Sequence, residues 1–469
     1  MRIISKQTII CIMETHILKT IEQELSRYGK LNRRTFLKLA AISGLTITSV
    51  REAKAASNAK GKIVIIGGGA AGISMAVNLK KRLNNPDITL IDPSDRQFYQ
   101  PGFTLIASGV YQPDDVWKKQ EDCIPDDIKW VKDSVAAVDP IWNQVTTVNN
   151  GKIPYDFLVL TPGLVLNWDK IEGFSYDRLG QGSANCIYDF MGAQKTWQGI
   201  QEFVKKGGRG IYTDTYTKHK CGGAPKKICL LTEHYARKQG LRNNIELDYF
   251  TAEKQLYDVP YYTPRLLEIY EERNIPINLN VRVKGIDLDK KQVHFEKIEK
   301  KGDEKIVTPF IEDYDFLHFT PPMSAPRFVS ESGLSWTEGK LAADGWVMVD
   351  QDTLIHKKYP NIISLGDVAG IPTSKTSAAV RKQVPIAVDN LIALMEGKEP
   401  SAKYDGYAAC PIVTDYGHVL LCEFNYKKEP ETSFPFTLID TSKEQWLAWL
   451  LKVYILKPMY FYGMLKGYA

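Results

Sequence analysis

Lys62-Ile63-Val64-Ile65-Ile66-Gly67-Gly68-Gly69-Ala70-Ala71-Gly72 decides the fold. The first five residues form an apolar run, the pattern of a parallel strand buried on both faces. The next six read G-x-G-x-x-G, and a helical pattern continues through Leu79. In that context each glycine has a task. Gly67 permits the tight turn, Gly69 lets the backbone approach a pyrophosphate, and Gly72 lets the helix pack close to the sheet. The helix that opens at Ala70 and Ala71 then offers free N–H groups and a partial positive charge to phosphates. A second strand, Ile88 to Ile91, ends in Asp92. A carboxylate at that spacing accepts hydrogen bonds from an adenosine ribose. A lone glycine motif carries little weight. Strand, motif, helix, strand and acid in order predict an α/β dinucleotide-binding domain.

Two later strands argue for FAD. Tyr155 to Leu160 runs into Thr161-Pro162-Gly163, and Tyr359 to Leu365 runs into Gly366-Asp367. Both resemble the further fingerprints of flavoproteins of the glutathione-reductase class, which have two Rossmann-like domains. The resemblance implies that Asp367 binds the ribitol chain of FAD, with Gly366, Thr161 and Gly163 beside the cofactor. The bland alternative is a pair of turns after strands, and it fails because all three signals occur in the expected order. Pro372-Thr373-Ser374-Lys375-Thr376 then opens a helix, capped by Thr373 or Ser374. Its N-terminus and Lys375 would stabilise negative charge on a reduced flavin.

The second Rossmann-like domain is expected over residues 181–310. Lys226 to Thr232 and Asn244 to Phe250 read as its strands, with Glu233 to Gly240 between them. No G-x-G-x-x-G occurs there, so NAD(P) is not the expected partner.

Five strings carry a closer resemblance: Tyr99-Gln100-Pro101-Gly102-Phe103-Thr104, Lys220-Cys221-Gly222-Gly223-Ala224-Pro225, Thr320-Pro321-Pro322-Met323-Ser324-Ala325-Pro326, Pro372 to Thr376, and Tyr404-Asp405-Gly406-Tyr407 with Cys410-Pro411 behind it. From about Gly61 onward the chain resembles the sulfide:quinone oxidoreductase family, in the branch that includes the mitochondrial enzyme. The resemblance implies sulfide oxidation through a persulfide on Cys221, FAD contacts from Gln100 and Pro101, and transfer of two electrons to quinone. The residues agree. Cys221 sits in a glycine-rich turn with Lys220, Lys226 and Lys227 near it in sequence, a setting that favours thiolate. Cys229, in an apolar run, reads as structural. One departure stands out: Val368 follows Gly366-Asp367 where that branch has its second redox cysteine. Another cysteine, Cys410 or Cys186, replaces it, or the chemistry runs on Cys221 and an external thiol, or the chain is no longer a sulfide oxidase and its donor is a related sulfur compound or another reductant. Two other readings remain: a flavin subunit passing electrons to a cytochrome c partner, and a persulfide carrier or sensor with structural FAD.

The rest of the chain sets the frame. A net charge of +5 on 469 residues, without a basic stripe, gives no case for nucleic acid. The histidines show no metal spacing, and no C-x-x-C occurs, so no metal is expected. Asn32-Arg33-Arg34-Thr35-Phe36-Leu37-Lys38, an apolar stretch to Val50, and Ala53-Lys54-Ala55 follow the order of a twin-arginine export signal over residues 1–55. That predicts a peripheral protein on the periplasmic side of a bacterial inner membrane. The FAD domain is expected in two parts, residues 56–180 and 311–400, and a quinone- and membrane-facing region over 401–469. There Trp446, Trp449, Leu450, Val453 and Tyr454 share a helical face, Lys452 and Lys457 interrupt any spanning stretch, and Pro458 should break or kink the helix. The pattern predicts an amphipathic membrane anchor. A homo-oligomer is compatible with all of this.

Overall fold

The computed structural model describes residues 56–302, 304–433 and 436–468. The expected export signal lies outside the described residues.

The first sheet has five parallel strands, in the order Ile362–Ser364, Phe157–Leu160, Lys62–Ile66, Asp87–Ile91 and Lys129–Val131. Ile63 to Ile66 are buried, as a strand covered on both faces requires. Helix Ala70–Arg82 follows at once. A Cβ on Gly72 would lie 1.7 Å from the Gly67 carbonyl oxygen, so only glycine lets this helix start so close to the strand. The sheet is completed by Ile362–Ser364, which returns from far along the chain.

The second sheet is also parallel, in the order Ala184–Asn185, Phe316–His318, Gly208–Thr213, Ile245–Phe250 and Ile277–Asn278. It continues to His318, past the expected boundary at 310. The strand expected at Lys226–Thr232 is a helix, Ala224–Lys238. The run Ile228-Cys229-Leu230-Leu231 is apolar because the helix is buried on all sides there, and a short apolar run does not tell strand from helix. Pro225 in the first turn is the signal that favoured the helix. The true strand, Gly208–Thr213, stands before it. The strand-to-helix junction of this domain is therefore residues 214–223, and it ends in Cys221-Gly222-Gly223.

A two-stranded antiparallel ribbon, Ala408–Asp415 with His418–Phe424, packs its first strand on the Ala224–Lys238 helix. The last segment is helical from Trp446 to Lys466. Pro458 does not break it. Leu451–Ile455 and Met459–Gly463 are π-turns on either side, and such widened turns absorb a missing backbone donor. Lys452 and Lys457 are buried rather than reaching for an interface. The expected apolar face is divided: Leu450 and Val453 are buried in the fold, Trp449 and Tyr454 are half-buried, and Trp446 is exposed. No helix among the described residues is long and apolar enough to cross a membrane.

Candidate functional site: a flavin cradle and a pair of sulfurs

The cradle comes from the ends of the first sheet. Gly67 adopts φ +94°, and its own Cβ would meet the Thr161 carbonyl oxygen at 2.2 Å. Gly69 has no atom within 4 Å of where a Cβ would stand, which leaves the open approach that a pyrophosphate needs. Ala70 and Ala71 begin the helix behind it. Asp92 ends the second strand and accepts hydrogen bonds from Gly68 N (2.6 Å) and Ser94 N (2.8 Å). Thr161 Oγ1 donates to the Ile66 carbonyl at 2.8 Å and so ties two strand ends together. Gly163 lies in the same turn with φ +76°. Gly366 also has a positive φ, +76°, and its N–H donates to Gln383 Oε1 at 2.9 Å. This aims the next residue, Asp367, toward Lys220 and Lys375, the charges that act on it. These features suit a dinucleotide with an extended polar chain.

Lys375 is buried. Its Nζ donates to the carbonyls of Asp367 (2.6 Å) and Ala369 (3.1 Å) and stands 3.8 Å from the centre of the Trp346 ring. Burial lowers its pKa to about 8. The helix after it, Ser377–Met395, is capped by Thr376, whose side chain accepts from Ala379 N, not by Thr373 or Ser374. Gln100 accepts from Lys220 Nζ at 2.7 Å, and the Pro101 carbonyl accepts from Lys452 Nζ at 2.9 Å.

The second domain delivers Cys221 to this place. Cys221 N donates to the Lys375 carbonyl at 3.0 Å, so the cysteine turn docks on the segment that leaves Asp367. Cys221 has a left-handed backbone, φ +45°, stabilised from several sides. Its carbonyl accepts from Tyr188 OH (3.2 Å) and Ala224 N (2.8 Å). Lys226 Nζ donates to the Gly222 carbonyl (3.1 Å) and pairs with Asp214 (3.2 Å), which also accepts from Tyr249 and Thr251 hydroxyls. This buried polar network fills the crevice at the strand ends, where a dinucleotide domain of this class would hold its ligand.

Cys221 Sγ lies 3.3 Å from Cys410 Sγ and accepts from Lys227 Nζ at 3.1 Å. Of the two candidates for the missing second cysteine, Cys410 makes this contact. Cys186 is fully buried after strand Ala184–Asn185, where burial raises its pKa to about 12. Val368 is fully buried as well. The neighbouring Cys410 thiol, and then the Lys227 and Lys452 ammonium charges, hold Cys221 well below the ordinary thiol range despite burial. Cys410 is displaced the opposite way, by its hydrogen bond to Cys221 and by burial. Gly223 makes room for the pair: a Cβ there would stand 2.6 Å from Cys410 Sγ. Cys229 is buried in the helix, as a structural cysteine. His219 turns Nδ1 to the Thr217 carbonyl (3.1 Å), and His318 is buried with Nε2 3.3 Å from Ile187 N.

Lys452 was missed as a site residue. It reads in sequence as an interruption of an apolar helix, and only the packing of the C-terminal helix shows that it points inward. Burial, and then the charge of Lys227, lower its pKa to about 7.

Comparison with known proteins gives three kinds of match. Residues 61–187 match the pyridine nucleotide-disulphide oxidoreductase family model. The mitochondrial sulfide:quinone oxidoreductase of Mus musculus is 36% identical over 87% of this chain and 87% of its own length. That of Dictyostelium discoideum is 38% identical over 91% of this chain and 90% of its own. The crystal structure of the sulfide:quinone oxidoreductase from Aquifex aeolicus superposes with a TM-score of 0.69 at 22% identity, covering 87% of this chain and 92% of that one, and it shares the fold.

Proposed function

This chain belongs to the sulfide:quinone oxidoreductase family, and on that premise we propose that Cys221 and Cys410 are its redox pair. The protein is a FAD-dependent enzyme that oxidises sulfide and reduces quinone. The observation that carries the assignment of the pair is the 3.3 Å between the two sulfurs beside Lys227. Closing that gap to a bond of about 2.05 Å needs a shift of roughly 1 Å.

With the pair closed as a disulfide, hydrosulfide attacks Cys410 Sγ, because the thiol with the lower pKa is the better leaving group and that thiol is Cys221. The S–S bond breaks, Cys410 carries the persulfide, and Cys221 leaves as thiolate. Lys227 and the N-terminus of helix Ala224–Lys238 stabilise the thiolate. Once the sulfane sulfur has left Cys410 for an acceptor thiol, Cys221 and Cys410 close again to the disulfide, and FAD, when bound, would supply the acceptor for the electron pair that closure releases on its way to quinone. Gly67, Gly69, Gly72, Asp92, Thr161, Gly163, Gly366 and Asp367 would hold the cofactor, with Gln100 and Pro101 alongside. Lys375 is a positive charge fixed by two carbonyls, and it would favour a reduced, negatively charged flavin.

The C-terminal region supplies membrane contact in this reading. Leu438 (75% exposed), Ile439 (37%) and Trp446 (51%) leave apolar surface outward along it. Quinone is a lipid-phase acceptor, which favours an enzyme that rests on a bilayer without spanning it. The N-terminal twin-arginine pattern supports export to the periplasmic side, and a reporter fused after residue 55 tests that by its compartment. Anaerobic addition of sulfide tests the redox assignment. The visible flavin band should bleach in the unaltered protein and not in Cys221→Ser or Cys410→Ser. Bleaching in Cys410→Ser at the unaltered rate would remove Cys410 from the pair.

A further inference from the structure

Cys410 has a sulfur neighbour on each side. On one side is Cys221, as described. On the other is Cys422, its register partner across the antiparallel ribbon. Residues directly opposite on such a ribbon place their side chains on one face, with Cα atoms about 4.5–5.5 Å apart. That spacing falls within the roughly 4.4–6.8 Å between the Cα atoms of bonded cysteines. Cys422 is fully buried, and its sulfur lies 3.6 Å from the Leu420 carbonyl. The Tyr257 hydroxyl is buried, makes no hydrogen bond to nitrogen or oxygen, and faces this thiol. Lys227, the cation bonded to Cys221, also acts on Cys422.

We propose that Cys422 is a third sulfur-carrying thiol, which takes the sulfane sulfur from Cys410 during turnover. The inference rests on the reading of Cys221 and Cys410 as the redox pair. The step is a transfer without net redox. Cys422 Sγ attacks the outer sulfur of the Cys410 persulfide. The bond between that sulfur and Cys410 Sγ breaks, and a bond to Cys422 Sγ forms. The proton of the Cys422 thiol ends on Cys410, and the Tyr257 hydroxyl donates to the new persulfide. Cys410 is then free to close again with Cys221, releasing two electrons to FAD by the established activity. The enzyme keeps its sulfur within the ribbon while the pair by the flavin is reset.

The test is a time course on the full-length, FAD-loaded protein given one equivalent of sulfide without oxygen. Samples are quenched in acid, alkylated with iodoacetamide and mapped by peptide mass. Added sulfur should appear on Cys410 first and then on Cys422, at about tenfold the level on Cys229, a thiol equally buried but outside the cluster. In Cys422→Ser, the sulfur should stay on Cys410, with a lifetime lengthened by about tenfold. Sulfur on Cys410 with Cys422 at the Cys229 level overturns the inference and leaves the pair intact, as does an unchanged lifetime in Cys422→Ser. Sulfur on none of the three cysteines overturns the assignment of the pair as well.

Discussion

At the scale of single residues, the chemistry turns on one cation and one missing side chain. Lys227 donates to Cys221 from 3.1 Å, so Lys227→Met should raise the Cys221 pKa by about 1–3 units. The pH profile of iodoacetamide reaction at Cys221 measures this, and a midpoint that stays put would take Lys227 out of the account. Gly223 faces Cys410 across a space with no room for a methyl group. Gly223→Ala should force the sulfurs apart, slow flavin bleaching by sulfide by about tenfold or more, and leave FAD bound. Stopped-flow absorbance reads both effects. Cys221 itself was legible in the sequence because glycines and lysines surround it. Lys452 was not, since a lysine in an apolar helix has the same pattern whether it faces lipid, water or a buried thiolate.

At the scale of elements, the strand and glycine turn that open the first domain were readable to the residue, and the helix behind them runs to Arg82, past the expected Leu79. Its glycines are required by backbone contacts that any chain with this motif must make. The cysteine helix reads as a strand in sequence because it is buried on all sides over Ile228 to Leu231, which removes the polar–apolar period that identifies a helix. The helix after Lys375 allows a direct check. Thr376→Ala removes the side chain that accepts from Ala379 N and should cost about 1 kcal/mol of stability, read by denaturant titration. In the C-terminal helix, Lys452 has a folded pKa of about 7 against an ordinary value of 10.5. Between those values the unfolded chain binds more protons than the folded one, so stability rises with pH across the window. The penalty is full below pH 7 and gone above 10.5. Lys452→Met should therefore gain most in Tm, relative to the unaltered protein, below pH 7, with the difference shrinking toward pH 10.5. A difference that does not vary with pH would mean the ammonium group is not the source.

At the scale of the whole molecule, two dinucleotide folds are put to unlike uses. The first keeps its open glycine turn and holds a cofactor. The second spends its turn on Cys221 and seals its crevice with the Asp214–Lys226 network. The two halves of the reaction can be separated by experiment. Leu438→Glu together with Trp446→Glu should reduce sedimentation with anionic lipid vesicles by about tenfold. Anaerobic bleaching by sulfide reads the other half without any membrane. The first sheet has a further implication, for how the protein is made. Its outer strand, Ile362–Ser364, and the Gly366-Asp367 turn behind it come late in the chain, whereas the second sheet is contiguous from Ala184 to His318. A nascent chain emerging from the ribosome can assemble the domain that bears Cys221 while the cofactor domain still lacks an edge, and the ribbon that bears Cys410 follows both. Biosynthesis thus completes the cradle after the second domain, and a chain cut short before Asp367 should mature colourless.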